Sequence, residues 1–124
     1  MYNKKESVED YLERVLMLEK EMEHVRAIDL AKSMSFSKAS VSVALKKLKG
    51  YGFVTVDEDS GFIHLTKEGR EIAEETYERH ELIAASLMHI GVPKDIALQD
   101  ACAVEHVISK ETVNALKEAA KRRK

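Results

Sequence analysis

Apolar side chains recur every three to four residues along most of the chain, the spacing that places them on one face of an α-helix. In the first half of the chain this pattern predicts three helices, over about 7–22, 27–34 and 38–50. Ile28 and Ala31 are expected to face inward on the second helix, and Ser37 is expected to cap the third. The third helix has an apolar inner face and ends in a glycine-containing turn, where a left-handed backbone is tolerated. Its inner residues are Val41, Ala44, Leu45 and Leu48, and its final turn is Gly50-Tyr51-Gly52.

A β-hairpin is predicted directly after the third helix. Phe53–Val56 and Phe62–Leu65 are short β-rich runs on either side of the turn residues 57–61. Helix, helix, turn, helix and hairpin in this order are typical of a winged helix-turn-helix, in which the hairpin is the wing. The tip of this wing, Asp57-Glu58-Asp59, is acidic, which is unfavourable for a contact with phosphates.

Three further helices are predicted in the second half of the chain. Thr66 can cap a long fourth helix that runs from Lys67 to about Ile90. Gly91-Val92-Pro93 ends that helix, and Pro93 can open a fifth. Ser109 can cap a final helix, from Lys110 to about Lys121.

The predicted fold class is therefore mainly α, with a winged helix-turn-helix domain over 1–70 followed by a helical domain over 71–124. Three amphipathic helices beyond the hairpin are too few to enclose much core by themselves. We therefore expect these helices to bury their apolar faces against a second protomer, which makes the protein a homodimer. The candidate dimer contacts are Ile83, Leu87 and Leu116.

Composition narrows the class of protein. The chain has 124 residues, of which 44% are hydrophobic and 34% charged, so that it can bury one modest core or two small ones. A single cysteine excludes an internal disulfide, and no apolar run resembles a signal peptide or a membrane span. The expected location is the cytoplasm, without contact with a membrane. The net charge is −2, yet five lysines and no acidic residue lie between Leu30 and Val56.

This local positive charge coincides with the predicted DNA-reading helix. In a helix-turn-helix the second helix of the pair enters the major groove, where its early outward residues reach base edges and its lysines contact phosphates. The alternatives are a solvated lysine face without a DNA role and a winged helix that binds another protein. The candidate DNA-binding residues are Ser37, Lys38, Ala39, Ser40, Ser42, Val43, Lys46 and Lys47.

A cluster of metal-ligand side chains lies near the end of the fifth helix. Cys102, Glu105 and His106 are spaced i, i+3 and i+4, which on a helix would place a thiol, a carboxylate and an imidazole on one face. Thiolate and imidazole suit divalent transition metals better than magnesium or calcium. A helix with one buried cysteine is the simpler alternative, because a free cysteine packs as a small hydrophobe.

Further ligands would have to come from other helices. Asp10 and Glu13 are spaced i and i+3 on the first helix, and His80 lies midway along the fourth, so that three helices could supply one ion. Each residue also has a simpler role. Asp10 could complete a capping box with Ser7, Glu13 could be a surface acid, and His80 could be a hydrogen-bonded core imidazole.

Taken together, these segments resemble the diphtheria toxin repressor family of metal-dependent transcriptional regulators, in particular its short, manganese-regulator-like members. The resemblance implies a homodimer that binds operator DNA when metal is bound between the DNA-binding half and the dimerisation helices. It assigns metal roles to Asp10, Glu13, His80, Cys102, Glu105 and His106. The residues that carry it are Glu9-Asp-Tyr-Leu-Glu13 with Met17-Leu18, Leu65-Thr-x-x-Gly69, Arg79-His80-Glu81-Leu82, Ile90-Gly91-Val92, and Cys102-x-x-Glu105-His106-Val-x-Ser109.

The ligand set is a hybrid of two branches of that family. Manganese regulators have a glutamate at the position of Cys102, whereas iron regulators have the cysteine but a methionine at the position of Asp10. Ala84 and Leu98 stand where the iron regulators' ancillary site has a carboxylate and a histidine, so the resemblance implies that this site is absent in that form, and the short members that the chain resembles are expected to lack the C-terminal SH3-like domain. Thiolate softness favours Fe(II) over Mn(II), and Zn(II), Co(II) or Ni(II) are expected to bind in vitro. The number of ions is not decided by the sequence: the site could hold one ion or a two-metal cluster bridged by Glu13 and Glu105.

The sequence therefore predicts a cytoplasmic, dimeric, metal-activated repressor of metal-homeostasis genes and not an enzyme, with Fe(II) or Mn(II) as corepressor. The first alternative is a winged-helix transcriptional regulator without metal control. The second, a hydrolytic metalloenzyme, is disfavoured because no nucleophile or base motif accompanies the ligands.

Overall fold

The computed structural model describes residues 4–123, and their side chains from Val8 onward. Over this range the chain is mainly helical, as predicted, with one small antiparallel sheet. It folds as two compact units, whose boundary lies between Glu74 and Glu75, inside the fourth helix. The elements are α1 (Lys4–Glu19), α2 (Ala27–Met34), α3 (Lys38–Gly50), β1 (Val54–Val56), β2 (Ile63–Leu65), α4 (Lys67–His89), α5 (Lys94–Val104) and α6 (Lys110–Arg122).

The first helix differs from its predicted bounds at both ends. α1 already begins at Lys4, so that Ser7 lies within the helix and not at its N-cap; the side chain of Ser7 is outside the described residues. At the other end, the amides of Lys20 and Glu21 bond to carbonyls only three residues back, and the tightened turn ends α1 at Glu19. The capping box proposed for Ser7 and Asp10 is therefore wrong, because Ser7 is not the N-cap of α1.

Side chains from all three helices and the hairpin form the core of the first unit. Leu12 and Val15 on α1 and Leu30 on α2 are fully buried. The prediction for Ile28 was wrong, because its side chain is 37% exposed, whereas Leu30 has no exposed surface. Two residues along a helix are separated by about 200° around its axis, so that Leu30 and Ile28 point to opposite sides. The inner face of α3 is as predicted, with Val41, Leu45 and Leu48 buried.

The two helices of the helix-turn-helix are joined by a turn with defined caps. Ser35 adopts the left-handed conformation (φ 58°) after α2, and the amide of Phe36 bonds to the carbonyl of Ala31 at 3.0 Å. The hydroxyl of Ser37 then accepts a hydrogen bond from the amide of Ser40 at 3.1 Å, which confirms the predicted N-cap of α3.

The hairpin pairs β1 with β2 in antiparallel register, with Val54 opposite Leu65 and Val56 opposite Ile63. The amide of Ile63 also bonds to the carbonyl of Val25 at 2.8 Å, which ties the segment before α2 to the sheet. The base of the wing is therefore part of the core and not a free loop.

The start of α4 is fixed against the hairpin. The hydroxyl of Thr66 accepts from the amide of Gly69 at 3.1 Å, as predicted for an N-cap, and donates to the carbonyl of Gly52 at 2.7 Å. Gly69 packs so closely against the backbone of Phe53 that no side chain fits between them. Glycine at this position therefore allows the close approach of helix and strand.

The second unit consists of the later part of α4 together with α5 and α6. Its core is a small apolar cluster of Ile83, Ala84 and Ala101, against which Leu87, Ile108 and Leu116 pack. Ser109 caps α6 as predicted, since its hydroxyl accepts from the amide of Thr112 at 3.1 Å. Ile83, a candidate dimer contact, is only 4% exposed and contributes mainly to this core. None of the helices between residues 4 and 123 is long and apolar enough to cross a lipid bilayer.

We predict that Gly69→Ala destabilises the first unit, because the new Cβ would collide with the carbonyl of Phe53, which is backbone and cannot rotate away. Overpacking of this kind costs roughly 1–3 kcal/mol. Gly50→Ala is the matched control, since a Cβ there meets nothing within 4 Å. Urea unfolding should show a lower midpoint for the Gly69 variant only. Equal midpoints for both variants would contradict the packing of α4 against β1.

Candidate metal centre and DNA-binding surface

The carboxylate of Glu105 lies between two imidazoles in the second unit. Its Oε2 is 3.0 Å from Nδ1 of His80, and its Oε1 is 3.3 Å from Nε2 of His106. The side chain of Glu105 has no exposed surface, and those of His80 and His106 are 14% and 4% exposed. Burying a carboxylate costs several kcal/mol unless a cation or hydrogen bonds offset it. The structure thus brings three of the predicted ligands together in a desolvated cluster.

His80 reaches this cluster from α4. Its ring stacks loosely on that of Tyr77, one turn earlier, with the centroids 6.3 Å apart. Nδ1 of His80 is buried and has no assigned hydrogen bond within residues 4–123, although Oε2 of Glu105 lies 3.0 Å away. An imidazole nitrogen in such a position is suited to bind a metal ion.

The spacing had predicted a helix through His106, but His106 does not lie on one. α5 ends at Val104, Glu105 is its C-cap, and His106 lies in the turn that follows. The amides of Val107 and Ile108 both bond to the carbonyl of Val104, at 3.0 and 3.1 Å, which keeps the turn compact. The prediction of one helical face is therefore wrong for His106, and Cys102 and Glu105 differ in burial, since Cys102 is exposed and the side chain of Glu105 is not.

Cys102 lies on α5, one turn before Glu105, and is exposed. The alternative of a buried cysteine that packs as a small hydrophobe is therefore wrong. Its neighbour Ala101 has no exposed surface and occupies the core position instead. An exposed thiol near the end of α5 is accessible both to a metal ion and to solvent.

The first unit presents its two predicted ligands side by side on α1. A carboxylate oxygen of Asp10 and one of Glu13 lie within 4.8 Å of each other, as their i, i+3 spacing requires. Glu13 is only 5% exposed and Asp10 is half-buried. The surface-acid alternative for Glu13 is therefore wrong, because a surface carboxylate would stay hydrated.

The donor set fits a divalent transition metal. Two imidazoles and a carboxylate in the second unit provide mixed nitrogen and oxygen ligands, which suit iron, manganese, zinc or cobalt. A bound cation would also offset the cost of burying the Glu105 carboxylate. In these chemical terms the residues present fit the metal that the sequence predicts.

The predicted DNA-reading surface on α3 is fully exposed. Val43 is 57% exposed, although it is apolar and the opposite face of α3 is buried. An exposed small apolar group beside serines suits contact with a thymine methyl in the major groove. The hydroxyl of Ser37 is already used for capping, since it bonds to the amide and the hydroxyl of Ser40. The exposed candidates are Ser37, Lys38, Ala39, Ser40, Ser42, Val43, Lys46 and Lys47.

Phe36, in the turn before α3, is a candidate that the sequence analysis did not include. Its side chain is 44% exposed, and its ring lies 6.0 Å from that of Tyr11. Because Phe36 lies directly before α3, it is a candidate contact for DNA. The signal that could have revealed it is the short length of the turn, which leaves little space for a bulky side chain to fold inward.

The wing is held by polar contacts that the sequence pattern did not reveal. The carboxylate of Asp57 accepts hydrogen bonds from the amides of Ser60 and Asp59, and these bonds lower the pKa of Asp57. Arg26 donates from Nε to the carbonyl of Ser60 at 3.1 Å, and its guanidinium lies 4.7 Å from the centroid of the Phe62 ring. The carboxylate of Asp57 therefore stays ionised to lower pH than an ordinary carboxyl group, while a cation lies at the base of the wing.

The two halves of the chain match the two domain models of one protein family. Residues 5–62 match the N-terminal DNA-binding domain of iron-dependent repressors. Residues 66–124 match the metal-binding and dimerisation domain of iron-dependent repressors.

Individual relatives and solved structures agree with this match. The transcriptional regulator MntR of Salmonella typhimurium is 34% identical over 113 residues, which are 91% of this chain and 71% of that protein. The structure of the manganese regulator SloR matches with a TM-score of 0.80 and 32% identity, over 98% of this chain and 55% of that one. A manganese-dependent transcriptional repressor in complex with manganese has a TM-score of 0.81 and 25% identity, with coverages of 90% and 51%. This chain thus spans about half the length of the two solved proteins.

Proposed function

Because this chain belongs to the family of iron-dependent repressors, whose members are transcriptional regulators and not enzymes, we propose that it represses metal-homeostasis genes by binding operator DNA when a divalent metal is bound. The observation that carries the proposal is the Glu105 carboxylate, buried between the imidazoles of His80 and His106. The exposed, acid-free surface of α3 supports the DNA-binding part. The protein would act in the cytoplasm, where its operator lies.

The proposed ligands come from both units. His80, Glu105 and His106 are supported by their contacts, and Asp10 and Glu13 by their adjacent carboxylates on a half-buried face of α1. Cys102 remains a proposed ligand that rests on the family motif. A metal that favours the DNA-binding arrangement of the two units shifts the population toward it, because binding and conformation are linked.

The ligand chemistry favours Fe(II) as the corepressor, with Mn(II) as the alternative. The proposed thiolate of Cys102 is a softer ligand than the carboxylates, and soft ligands discriminate against Mn(II). Zn(II), Co(II) and Ni(II) are expected to bind in vitro because they lie higher in the affinity order. The proteins compared above include a repressor in complex with manganese, which supports retaining Mn(II).

We propose that the functional form is a homodimer assembled through the second unit. Leu87 and Leu116 are only partly buried by their own protomer, and Ile83 shapes the core beneath them. Further apolar side chains of this unit remain exposed, among them Ile90 at 76% and Val107 at 65%. Exposed apolar surface of this kind is typical of an interface that a partner covers. A dimer would also present two reading helices to a palindromic operator.

The Asp10→Ala variant tests whether metal controls DNA binding. We expect it to bind metal through His80, Glu105 and His106 but to lose metal-dependent operator binding, because the ion no longer contacts α1. Glu21→Ala is the matched control, since Glu21 is an exposed acid just after α1. Metal binding is measured by calorimetry and operator binding by fluorescence anisotropy. If the Asp10 variant kept its metal-dependent DNA binding, α1 would have no part in the mechanism. If the unmodified protein bound operator DNA equally well without metal, a winged-helix regulator without metal control would be favoured.

The Cys102→Glu variant tests whether the thiol is a ligand. The substitution replaces a soft ligand by a hard one, so that activation of operator binding by Mn(II) should rise relative to Co(II). The side chain is exposed, and the fold should tolerate the change. Anisotropy titrations with each metal, compared with Cys102→Ser, give the preference. An unchanged Mn(II)-to-Co(II) ratio in both variants would exclude Cys102 from the ligand set.

Lys46 and Lys47 are expected to attract phosphates without selecting sequence, because they follow the base-reading turn of α3. Changing either to Ala should weaken operator and random DNA alike and reduce the salt slope by about 0.9 for each lost phosphate contact. Val43→Ala is the comparison, since it should alter the operator preference instead. Random-DNA affinity that stays at the wild-type value in both lysine variants would place the phosphate contacts elsewhere.

A further inference from the structure

Arg79 directly precedes the proposed ligand His80 on α4, and both residues contact Glu105. Its Nε donates a hydrogen bond to the backbone carbonyl of Glu105 at 3.0 Å, across 26 residues of sequence. The side chain of Arg79 is only 18% exposed. Two consecutive residues of α4 therefore contact the two ends of Glu105. Arg79 bonds to its backbone carbonyl, and His80 lies 3.0 Å from its carboxylate.

The carbonyl that Arg79 contacts is one that α5 cannot satisfy itself. Glu105 is the C-cap of α5, and the last carbonyls of a helix lack an amide partner within the helix. A guanidinium at this end satisfies the carbonyl and also suits the partial negative charge of the helix terminus. Since Arg is planar and less strongly hydrated than Lys, it is well suited to this partly buried position.

From these contacts we infer that Arg79 is a positioning residue of the proposed metal centre, which sets the end of α5 so that Glu105 and His106 face His80. This inference rests on the proposed function. Arg79 does not touch the ion. It fixes the backbone from which two ligands project, together with the hydrogen bonds that the amides of Val107 and Ile108 donate to the carbonyl of Val104.

A second partner of Arg79 provides a control. Nη1 lies 3.6 Å from Oε1 of Glu75, one turn earlier on α4, and the Glu75 side chain is 74% exposed. An exposed pair at this distance contributes little to stability. Glu75→Gln therefore removes a charge beside Arg79 and leaves the bond to the Glu105 carbonyl intact.

The first measurement uses the metal-free protein. Amide hydrogen exchange at Val107 and Ile108 should accelerate in Arg79→Gln and stay unchanged in Glu75→Gln. The amide of Val113, which bonds to Ser109 within α6, is the internal reference and should not change in either variant. This measurement tests the anchoring of the turn without any assumption about metal.

The second measurement is a Co(II) titration followed by visible absorption. Loss of a residue that orients ligands typically weakens metal binding about 10- to 100-fold, and we expect this for Arg79→Gln. At saturating Co(II) its absorption bands should also shift, which a loss of overall stability alone would not cause. Arg79→Lys keeps the charge and a donor, and its affinity should lie between those of the wild type and the Gln variant.

The outcomes separate this inference from the proposed function. Wild-type protein that fails to bind Co(II) would overturn the proposed metal control and the role of Arg79 with it. Wild-type binding together with unchanged affinity and spectrum in Arg79→Gln would overturn the role of Arg79 alone. If the Gln variant does not fold, the same criterion applies to Arg79→Lys, whose affinity and spectrum must then differ from those of the wild type.

Discussion

The carboxylate of Glu105 imposes the strongest physical constraint on the second unit. A carboxylate with no exposed surface loses its hydration, and its burial costs several kcal/mol unless a cation or hydrogen bonds offset it. A divalent cation would attract the carboxylate, and the two imidazoles beside it are common ligands of transition metals. These three side chains therefore make the second unit well suited to a metal ion.

α4 links this constraint to the rest of the chain. The helix begins at Lys67 beside the hairpin, where Thr66 and Gly69 fix its direction, and continues without a break through the boundary between the units to His89. His80 and Arg79 follow about 20 Å after its start, at a rise of about 1.5 Å for each residue. The same helix thus contributes its first part to the packing of the first unit and its later part to the proposed metal centre of the second unit.

Most of the elements were predictable from the sequence because their signals are local. The caps at Ser37, Thr66 and Ser109 and the glycine turn after α3 each depend on residues within a few positions of one another. The errors have different causes. Ile28 was misjudged because an eight-residue helix has too few apolar positions to define its inner face.

The parts of the site that sequence reasoning missed depend on contacts distant in the chain. Arg79 bonds to a backbone carbonyl, which every residue has, so that no side-chain pattern could reveal its partner. The end of α5 before His106 was equally hidden, because neither glycine nor proline marks it. The ligands that we propose could be inferred from the sequence, since a metal selects side-chain types that recur at defined spacings. Positioning residues have no such signature.

The charge distribution of the first unit favours α3 as the proposed DNA-binding element. Hydrogen bonds from the amides of Ser60 and Asp59 lower the pKa of Asp57, so that this carboxylate of the wing tip keeps its negative charge to lower pH than an ordinary carboxyl group does. A negative charge at the wing tip is unfavourable for phosphate contacts, and we expect the attraction to come from elsewhere in the unit. Arg26 is tied to the wing backbone and to the ring of Phe62, whereas the lysines of α3 are exposed on a helix that has no acidic residue. The DNA affinity that we propose for this unit therefore depends on how α3 lies against the DNA.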